Sequence, residues 1–397
     1  MHVIVVGAGL TGLQSALHLL KDSVEVTLIE AARAPCQGAS YCAAASINDP
    51  EPMPLAPAAG LLARLRAMTG NTTNLVFGSG TAMRHAGFIA AMTAARDPER
   101  FEKRREVFAT LARESMQLLH ADAEREGFVL QESAGTFLVH DTPVTGDGVL
   151  TPEAAFEREP ALLEASSVAA VTPSEATTWS VSFYAKQLRE HLVSRGVRIL
   201  CNRRVTGLLS DGGRTVGVEA GETIRADAVL IAAGTGAVDL LPDAAYGGVA
   251  LAPLTRAVFN IELSVDQGRV RRAIKTADGR TIVPLDAFLR LLGRWHLGTP
   301  EQCDLDAEYK ALWSLGVRLL PHAASWSGGR YLKGTVLSSP DGLPLVGASA
   351  YPGLYLNMAG GLHTSDFAPS YARAAADAIL GRENALLEEL AWTRFSR

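Results

Sequence analysis

A glycine-rich turn near the start of the chain joins a short apolar strand to an amphipathic helix. Residues 2–6 are apolar after the first position, and residues 7–12 read Gly-Ala-Gly-Leu-Thr-Gly. Apolar side chains then recur at positions 13, 16, 17 and 20, which is the spacing of one helix face. A second strand, 24–29, leads to Glu30. This β-α-β unit with an acid at the end of its second strand is the context in which a dinucleotide-binding fingerprint is meaningful.

Each glycine of the fingerprint has a separate physical task. Gly7 permits the tight turn, Gly9 lets the backbone approach a pyrophosphate, and Gly12 lets the helix pack closely against the sheet. The helix N-terminus presents free N–H groups and the positive end of its dipole to the phosphates. Glu30 is expected to accept hydrogen bonds from the ribose of an adenosine half. The fingerprint by itself fits either FAD or NAD.

The rest of the chain indicates one dinucleotide rather than two. The fingerprint begins at residue 7, and no second such motif follows it. The segment 234–236 reads Gly-Thr-Gly after an apolar strand, but the third glycine is missing. It therefore predicts a further approach of the backbone to the same nucleotide.

Composition and charge exclude several classes of partner. The net charge is −5 and no run of five like charges occurs, so nucleic acid is not an expected partner. The four cysteines show neither CxxC spacing nor a metal-ligand pattern with histidine, so free thiols and no metal are expected. No apolar stretch approaches about 18 residues, so no transmembrane segment is expected. Without a leader pattern before the first strand, we expect a cytoplasmic protein, with peripheral contact with the inner membrane left open.

Strand and helix patterns continue after the fingerprint. Helices are expected over 98–126, 184–195 and 367–380, and strands over 135–140, 197–201, 205–209, 215–219, 222–226, 228–234 and 354–357. Residues 36–60 are rich in alanine, proline and glycine and are expected to form a loop. From 248 to 336 a β-like alternation predicts a largely antiparallel second sheet.

Five segments resemble the D-amino acid oxidase family of flavoenzymes, in particular its D-amino acid dehydrogenase and glycine oxidase branch. The C-terminal block is the most specific of them, because 339–347 reads Ser-Pro-Asp-Gly-Leu-Pro-Leu-Val-Gly and is followed by 354–357 and a Gly-Gly pair. The other four are the fingerprint with Glu30, the loop 38–40, Val205, and the stretch 232–234.

The resemblance implies an α/β fold in which a Rossmann-like FAD-binding domain of the glutathione-reductase type carries a second, largely antiparallel β-sheet substrate domain. It implies that the two domains are built from interleaved segments. The FAD-binding domain would comprise 1–80, 165–245 and 330–397, and the substrate or cap domain 81–164 and 246–329.

FAD is expected to be bound non-covalently. Tyr41 rather than histidine follows Ser40, and no cysteine lies in the C-terminal block. The family pattern implies that the last helix points its N-terminus at the flavin, where the helix dipole stabilises negative charge on the reduced ring. The predicted FAD-binding residues are Gly7, Ala8, Gly9, Leu10, Thr11, Gly12, Glu30, Ala31, Arg33, Ala39, Ser40, Val205, Ala233, Gly234, Gly360, Gly361, Leu362, His363 and Thr364.

One position departs from the family pattern. Relatives that take free amino acids usually hold the substrate carboxylate with an arginine about five residues before the Pro-Asp-Gly motif, since a guanidinium pairs with a carboxylate through two hydrogen bonds. Here that position is Val336. Arg330 lies about 20 Å away along a strand, and Lys333 would point to the opposite face. Arg256 is the alternative, near a place where relatives often carry a basic residue facing the flavin. The predicted catalytic or pocket-lining residues are Arg256, His363 and Tyr184, with Trp179 beside them.

Together these features predict an FAD-dependent oxidoreductase that oxidises the C–N bond of a small amine or amino acid by hydride transfer to flavin. Such chemistry depends mainly on substrate orientation. The electron acceptor is left open among oxygen, a quinone and a partner protein. Because of Val336, two alternatives stay open: an amine oxidase for a substrate without a free carboxylate, and an FAD-binding subunit of a larger dehydrogenase complex with weak or shared catalysis. A flavin monooxygenase is disfavoured, because no Gly-Asp-Ala-Ala-His-like segment occurs near the C-terminus.

Overall fold

The computed structural model describes residues 1–47, 75–78, 80–95, 98–162, 167–264, 270–285 and 287–396. In these ranges the helices are α1 (Leu10–Lys21), α2 (Ala39–Cys42), α3 (Thr81–Arg84), α4 (Ala86–Ala94), α5 (Pro98–Glu126), α6 (Pro152–Arg158), α7 (Val181–Ser194), α8 (Ala237–Leu240), α9 (Leu305–Leu319), α10 (Ala368–Leu380) and α11 (Leu386–Leu390). None of the helices in these ranges is long and apolar enough to cross a membrane.

The strands of the same ranges number from the N-terminus as follows. They are β1 (His2–Val6), β2 (Glu25–Ile29), β3 (Ala45–Ile47), β4 (Leu75–Val76), β5 (Thr136–His140), β6 (Ala170–Ser174), β7 (Thr177–Trp179), β8 (Arg198–Leu200), β9 (Gly207–Asp211), β10 (Arg214–Glu219), β11 (Thr223–Arg225), β12 (Ala228–Ile231), β13 (Ala252–Glu262), β14 (Ala273–Thr276), β15 (Thr281–Leu285), β16 (Phe288–Leu297), β17 (Arg330–Ser338), β18 (Leu345–Ala348) and β19 (Leu354–Met358).

The first sheet has six strands in the order β18-β19-β12-β1-β2-β8, and all neighbours are parallel except β18 and β19. Val3 and Val5 of β1 pack in the cluster that contains α1, α7 and α10. Ile4 and Val6 face the opposite way, toward a cluster that includes residues of the small antiparallel sheet β11-β10-β9. Both faces are thus covered, which explains why β1 and β12 consist of continuous apolar residues. The buried parallel strand predicted at the start of 228–234 is confirmed as β12.

The second sheet has eight strands, in the order β17-β13-β16-β15-β14-β5-β6 with β4 paired to β16. Its neighbours are antiparallel except for the pairs β14–β5 and β16–β4. The predicted largely antiparallel second sheet is therefore confirmed. The β-like interpretation of 248–336 is wrong at α9, however. Leu305, Leu312, Leu315 and Leu319 lie on one helical face, and the Asp304 side chain caps the helix by accepting a hydrogen bond from the N–H of Ala307.

Two other local predictions need correction. In the predicted loop 36–60, residues 39–42 form the single helical turn α2 and residues 45–47 form β3, which pairs with β7. The remainder of that loop, from residue 48 onward, lies outside the described residues. The strand predicted from Val205 begins at Gly207 instead, so Val205 belongs to the connection that follows β8.

Strand pairing also bears on the predicted domain boundaries. β4, β6 and β17 all pair within the second sheet, although the boundaries drawn from the sequence give 75–76, 170–174 and 330–338 to the FAD-binding domain. Every residue of β17 pairs with a residue of β13. We propose that these three strands belong with the substrate domain, and that the remaining interleaved segments stay as the resemblance implies.

Candidate active site

A cleft opens at the carboxyl ends of the parallel strands β1, β2 and β12. Val6 and Ile29 end the first two strands, Ala232 follows the third, and all three residues line the cleft. The N-terminal residues of α1 line it as well. In an open α/β sheet this position, outside the carboxyl ends of the strands and next to a helix N-terminus, is where dinucleotides bind.

The fingerprint turn is packed so closely that two of its glycines admit no side chain. Gly7 has a φ of +101°, and a Cβ atom on it would clash with the backbone of Ala232. A Cβ atom on Gly12 would clash with the carbonyl oxygen of Gly7. Gly9 is the N-cap of α1, and its Cβ position lies 3.3 Å from Ser40 Oγ. The contacts of Gly7 and Gly12 correspond to the tight turn and the close helix packing that the fingerprint requires.

Glu30 contributes a carboxylate that is held in a fixed orientation. Its Oε2 atom accepts a hydrogen bond from the N–H of Ala8 at 2.7 Å, and its Oε1 atom accepts one from the N–H of Ala32 at 2.7 Å. An ionised carboxylate accepts about four hydrogen bonds, so each oxygen keeps acceptor capacity for ribose hydroxyls. At the helix start, the N–H of Leu10 donates to Ser40 Oγ at 3.0 Å, which ties the loop 38–40 to α1.

Most of the predicted FAD-binding residues line this cleft: Gly7, Gly9, Leu10, Thr11, Glu30, Ala31, Ala39, Ser40, Val205, Ala233, Gly234, Gly360 and Thr364. Ala8 and Gly12 are buried behind the lining, where they hold Glu30 and the turn. Arg33 is exposed and outside the lining, because the chain turns away after Ala32 binds back to Glu30. This geometry does not support the predicted role of Arg33 in binding the cofactor.

Sequence reasoning missed several lining residues, and two groups of them are instructive. Arg203 and Arg204 line the cleft just after β8, and two adjacent arginines directly after a strand were the available signal. Thr335 and Leu337 of β17 line it from the second sheet, which no local pattern could indicate.

The residues present fit FAD. The cleft runs from Glu30 and Val205 past the N-terminus of α1 to Gly360 and Thr364, as an extended dinucleotide requires. Asn357 at the end of β19 also lines it, and its Oδ1 atom is buried without a hydrogen-bond partner in the described residues. Buried polar atoms are nearly always paired, so this oxygen is consistent with a missing donor in the cleft.

A second cavity adjoins the cleft and shares Ala39, Val336 and Thr364 with it. One side of this cavity is the second sheet, which contributes Arg256 and the following residues: Lys275, Thr281, Val283, Leu292, Trp295 and Gly334. The other side is formed by the segments 39–46 and 361–366. The predicted residues Gly361, Leu362 and His363 lie here, together with Thr364.

Arg256 is the principal cation of the second cavity. Its guanidinium lies over the Trp295 ring, with Cζ 4.5 Å from the ring centroid, which is cation–π geometry. Within the described residues it forms no ion pair. Burial lowers the pKa of Arg256 to about 10, and the nearby charge of Asp366 opposes this shift. The side chain is therefore a partly buried cation at neutral pH.

Val336 occupies the position at which the family usually has arginine, and the structure gives its surroundings. It lies on β17 opposite Leu254 of β13 and packs against an apolar cluster that includes Trp295. Arg330 and Lys333 are on the same strand, but both are exposed and neither lines the cavity. The expectation that neither replaces the missing arginine agrees with this geometry.

His363 and Asp366 form a pair on the side of the cavity that faces the second sheet. His363 Nδ1 lies 2.9 Å from Asp366 Oδ2. His363 ends the 3₁₀ turn Gly361–His363, and Asp366 lies two residues before α10, which begins at Ala368. The segment before the last helix therefore supplies the polar groups of this site, near where the resemblance expected contact with the flavin.

Tyr184 does not lie in the second cavity. It is fully buried on α7, where its hydroxyl accepts a hydrogen bond from Gln14 Nε2 at 2.8 Å. Its ring packs edge-on against Trp179 and Phe128. We therefore correct the prediction of a catalytic Tyr184: the helix that carries it faces α1 in the core, and both Tyr184 and Trp179 pack there.

The fold and the site define a class of protein. A fingerprint turn at the carboxyl edge of a parallel sheet, together with a second sheet that closes the cleft, is the architecture of a dinucleotide-dependent enzyme. The chain matches the family model described as DAO, FAD dependent oxidoreductase, over residues 2–378, and it belongs to that family. FAD is its cofactor, and the protein is an oxidoreductase.

Relatives match over the whole length of the chain. A D-amino acid dehydrogenase from Methylobacterium sp. (strain 4-46) is 27% identical over 433 residues, with 100% of both chains covered. The structure of glycine oxidase from Geobacillus kaustophilus aligns with a TM-score of 0.70 and 20% identity over 99% of this chain and 98% of that one. L-proline dehydrogenase from P. horikoshii aligns with a TM-score of 0.68 and 17% identity over 100% and 98%. The resemblance to the D-amino acid oxidase family is confirmed.

Proposed function

We propose that the protein oxidises the C–N bond of a small α-amino acid by hydride transfer from Cα to FAD, and that Arg256 binds the substrate carboxylate. The observation that carries this proposal is a partly buried guanidinium, without an ion pair in the described residues, in the cavity next to the nucleotide cleft. The nearby charge of Asp366 forms no direct ion pair with it, so a substrate carboxylate would supply a direct partner for a cation that is partly withdrawn from water. The full-length relative is named for D-amino acids, which supports this substrate class.

The residues of the cavity would orient the substrate. FAD, when bound, supplies the ring that accepts the hydride. Ala39, Val336 and Thr364 line both spaces, so a molecule in the cavity lies against one in the cleft. Arg256 would fix the carboxylate, and the apolar side chain of Leu292 excludes water beside it. Holding the Cα–H bond in one orientation is the main contribution that such an enzyme makes.

The test is anaerobic reduction of the bound flavin by a panel of D- and L-amino acids, glycine, sarcosine and amines without a carboxylate. Replacing Arg256 by glutamine removes the charge and one arm of the guanidinium. A charge-assisted contact is worth about 1.5–3 kcal/mol, so we expect amino-acid binding to weaken roughly ten- to a hundredfold. The measurement is the substrate concentration that gives half-maximal reduction rate.

Arg330→Gln is the matched control, because Arg330 is exposed on β17 and outside the cavity. It should leave amino-acid binding unchanged, and both variants should retain FAD. Equal reduction by an amine that lacks a carboxylate would refute the assignment of Arg256. If nothing in the panel reduces the wild-type flavin, an FAD-binding subunit with shared catalysis becomes the better interpretation.

A further inference from the structure

Two hydrogen bonds hold Asp366 in the second cavity. Its Oδ1 atom accepts from the backbone N–H of Ser46 at 2.8 Å, and its Oδ2 atom lies 2.9 Å from His363 Nδ1. The His363 ring stacks on Phe367 and meets Phe108 edge-on, which fixes its orientation. Since an ionised carboxylate accepts about four hydrogen bonds, Asp366 keeps acceptor capacity for a further donor.

Charged groups of both signs line the cavity. Among the described residues that line it, Asp366 is the only acidic one, and Arg256 and Lys275 are the cations. The side chains of His363 and Asp366 are 20% and 17% exposed, so both are largely withdrawn from bulk water. A partly buried guanidinium and a fixed carboxylate in one cavity are complementary to a molecule that carries one negative and one positive group.

From this arrangement we infer that Asp366, with His363 positioned by it, binds the substrate's ammonium group and accepts its proton before oxidation. The inference rests on the proposed function and deepens it, because it makes zwitterionic α-amino acids the substrate class. Arg256 and Asp366 would bind the two opposite charges of one substrate molecule. A simple carboxylic acid would pair only with Arg256, and a simple amine only with Asp366.

The reaction step is balanced as follows. The bound R–CH(NH₃⁺)–COO⁻ gives one proton to the His363–Asp366 pair and becomes R–CH(NH₂)–COO⁻. The Cα–H bond then breaks, its electron pair leaves as hydride to FAD, and the nitrogen lone pair forms the C=N bond of an iminium product. Removing the proton first is required, because a positively charged nitrogen has no lone pair with which to form that bond. Positioned acid–base groups typically contribute about 10²–10⁴-fold.

Other titratable groups face Asp366 from the elements around it. His363 lies on its own segment, Arg256 on β13, Lys275 on β14 and Tyr371 on α10. Tyr371 is buried, and burial followed by the charge of Asp366 raises its pKa, so it stays a neutral phenol. Tyr371 therefore does not take up the substrate proton.

The first experiment measures binding without turnover. D-alanine and propionate share a carboxylate and differ in the ammonium group, and each is titrated into the holoenzyme while the flavin absorbance is followed. Wild type should bind D-alanine more tightly than propionate. Asp366→Asn keeps the shape of the side chain but replaces one acceptor oxygen by an uncharged NH₂ donor, so it should abolish that preference while leaving propionate affinity within about twofold. Asp306→Asn, an exposed change of equal charge on α9, is the control and should behave as wild type.

The second experiment follows anaerobic flavin reduction against pH, with the amino acid that reduces wild type fastest. Asp366→Asn should reduce the rate at neutral pH about 10²-fold or more, and the rate should recover as pH approaches the pKa of the substrate ammonium group. His363→Gln should show the same pH trend with a smaller loss. FAD content is measured for each variant, since a merely structural defect would lower it without changing the pH profile.

The outcomes separate the two proposals. If amino acids reduce the flavin of wild type and Asp366→Asn has the same pH profile as wild type, the inference is overturned. The proposed function stays intact in that case. Tighter binding of propionate than of D-alanine by wild type also overturns the inference. Absence of reduction by every amino acid overturns the proposed function, while the binding comparison still decides whether Asp366 recognises an ammonium group.

Discussion

At the scale of single residues, Gly9 is the fingerprint glycine whose lack of a side chain bears most directly on the cofactor. It caps α1, and a Cβ atom on it would lie 3.3 Å from the Ser40 hydroxyl that accepts the N–H of Leu10. A side chain here meets Ser40 on one side and the space of the pyrophosphate on the other. The absence of a side chain at this residue therefore serves the cofactor more than it serves the turn.

Gly9→Val should yield a folded protein that does not retain FAD. The branched side chain occupies the pyrophosphate position and displaces Ser40, whereas the backbone of Gly9 has an ordinary negative φ that valine adopts without strain. The measurement is the ratio of flavin to protein after purification. Gly207→Val is the control, because Gly207 opens β9 with no atom within 4 Å of its Cβ position. A Gly9→Val protein that stays fully loaded with FAD would contradict the assignment.

The sequence predicts some residues of the site and not others, for a physical reason. Gly7, Gly12 and Glu30 can be predicted from the sequence because their structural roles are local. They belong to a turn, a helix start and a strand end within thirty residues. Arg256 and Asp366 are 110 positions apart, and they face each other only because β13 and the segment before α10 close on one cavity. A single sequence contains no pattern that indicates which distant residues meet in space. For the same reason the sequence places Tyr184 in the pocket, although it lies in the core.

At the scale of elements, α9 is bound to the second sheet through one buried carboxylate. Glu308 Oε1 accepts hydrogen bonds from Arg280 Nε at 2.7 Å and from the N–H of Arg294 at 3.0 Å. His296 Nε2 lies 3.7 Å from its Oε2 atom. Arg294 and His296 flank Trp295 on β16, so their side chains lie on the opposite face of the strand from the Trp295 ring. The cluster around Glu308 therefore supports the strand that carries the ring under Arg256.

Protonation of Glu308 should destabilise the fold in acid. Burial acts to raise the pKa of Glu308, but the nearby His296 ring and hydrogen bonds from Arg280 and from the backbone of Arg294 outweigh it and lower the pKa from 4.5 to about 2. A depressed folded-state pKa contributes stability that is complete above the unfolded value and is lost as pH falls toward the folded one. The loss between about pH 4.5 and 2 should approach about 3 kcal/mol.

Urea unfolding at several pH values measures this effect. Glu308→Gln should unfold more easily at neutral pH by about 1.5–3 kcal/mol, since it removes the charge that Arg280 and Arg294 bind. Its free energy of unfolding should also lose the pH dependence in this window, apart from the background shared by all variants. Glu106→Gln, an exposed change on α5, provides that background. An identical pH dependence in Glu308→Gln and Glu106→Gln would show that the cluster is not the acid-sensitive group.

At the scale of the whole molecule, the cofactor cleft joins the two sheets. Val6 of β1 and Ile29 of β2 line it from the first sheet, and Thr335, Val336 and Leu337 of β17 line it from the second. The C-terminal segment supports the same region: Arg394 pairs with the buried Asp341 through two hydrogen bonds, at 2.9 and 3.0 Å. The residues that line the cleft extend from Val6 to Tyr371, so FAD bound there should couple the stability of both sheets.

FAD should be held without a covalent bond and should stabilise the molecule as one unit. Cys36 lines the cleft, but burial raises its pKa to about 12, so the thiol stays neutral and unreactive toward the ring. Acid precipitation should leave all flavin in the supernatant. Adding FAD to the apoprotein at about 100 times its Kd should raise the free energy of unfolding by about 2.7 kcal/mol. Because strands of both sheets line the cleft, circular dichroism and tryptophan fluorescence should report one shifted transition. Flavin that stays with the precipitate would indicate a covalent link, and stabilisation of only one of two transitions would mean that the cleft belongs to a single sheet.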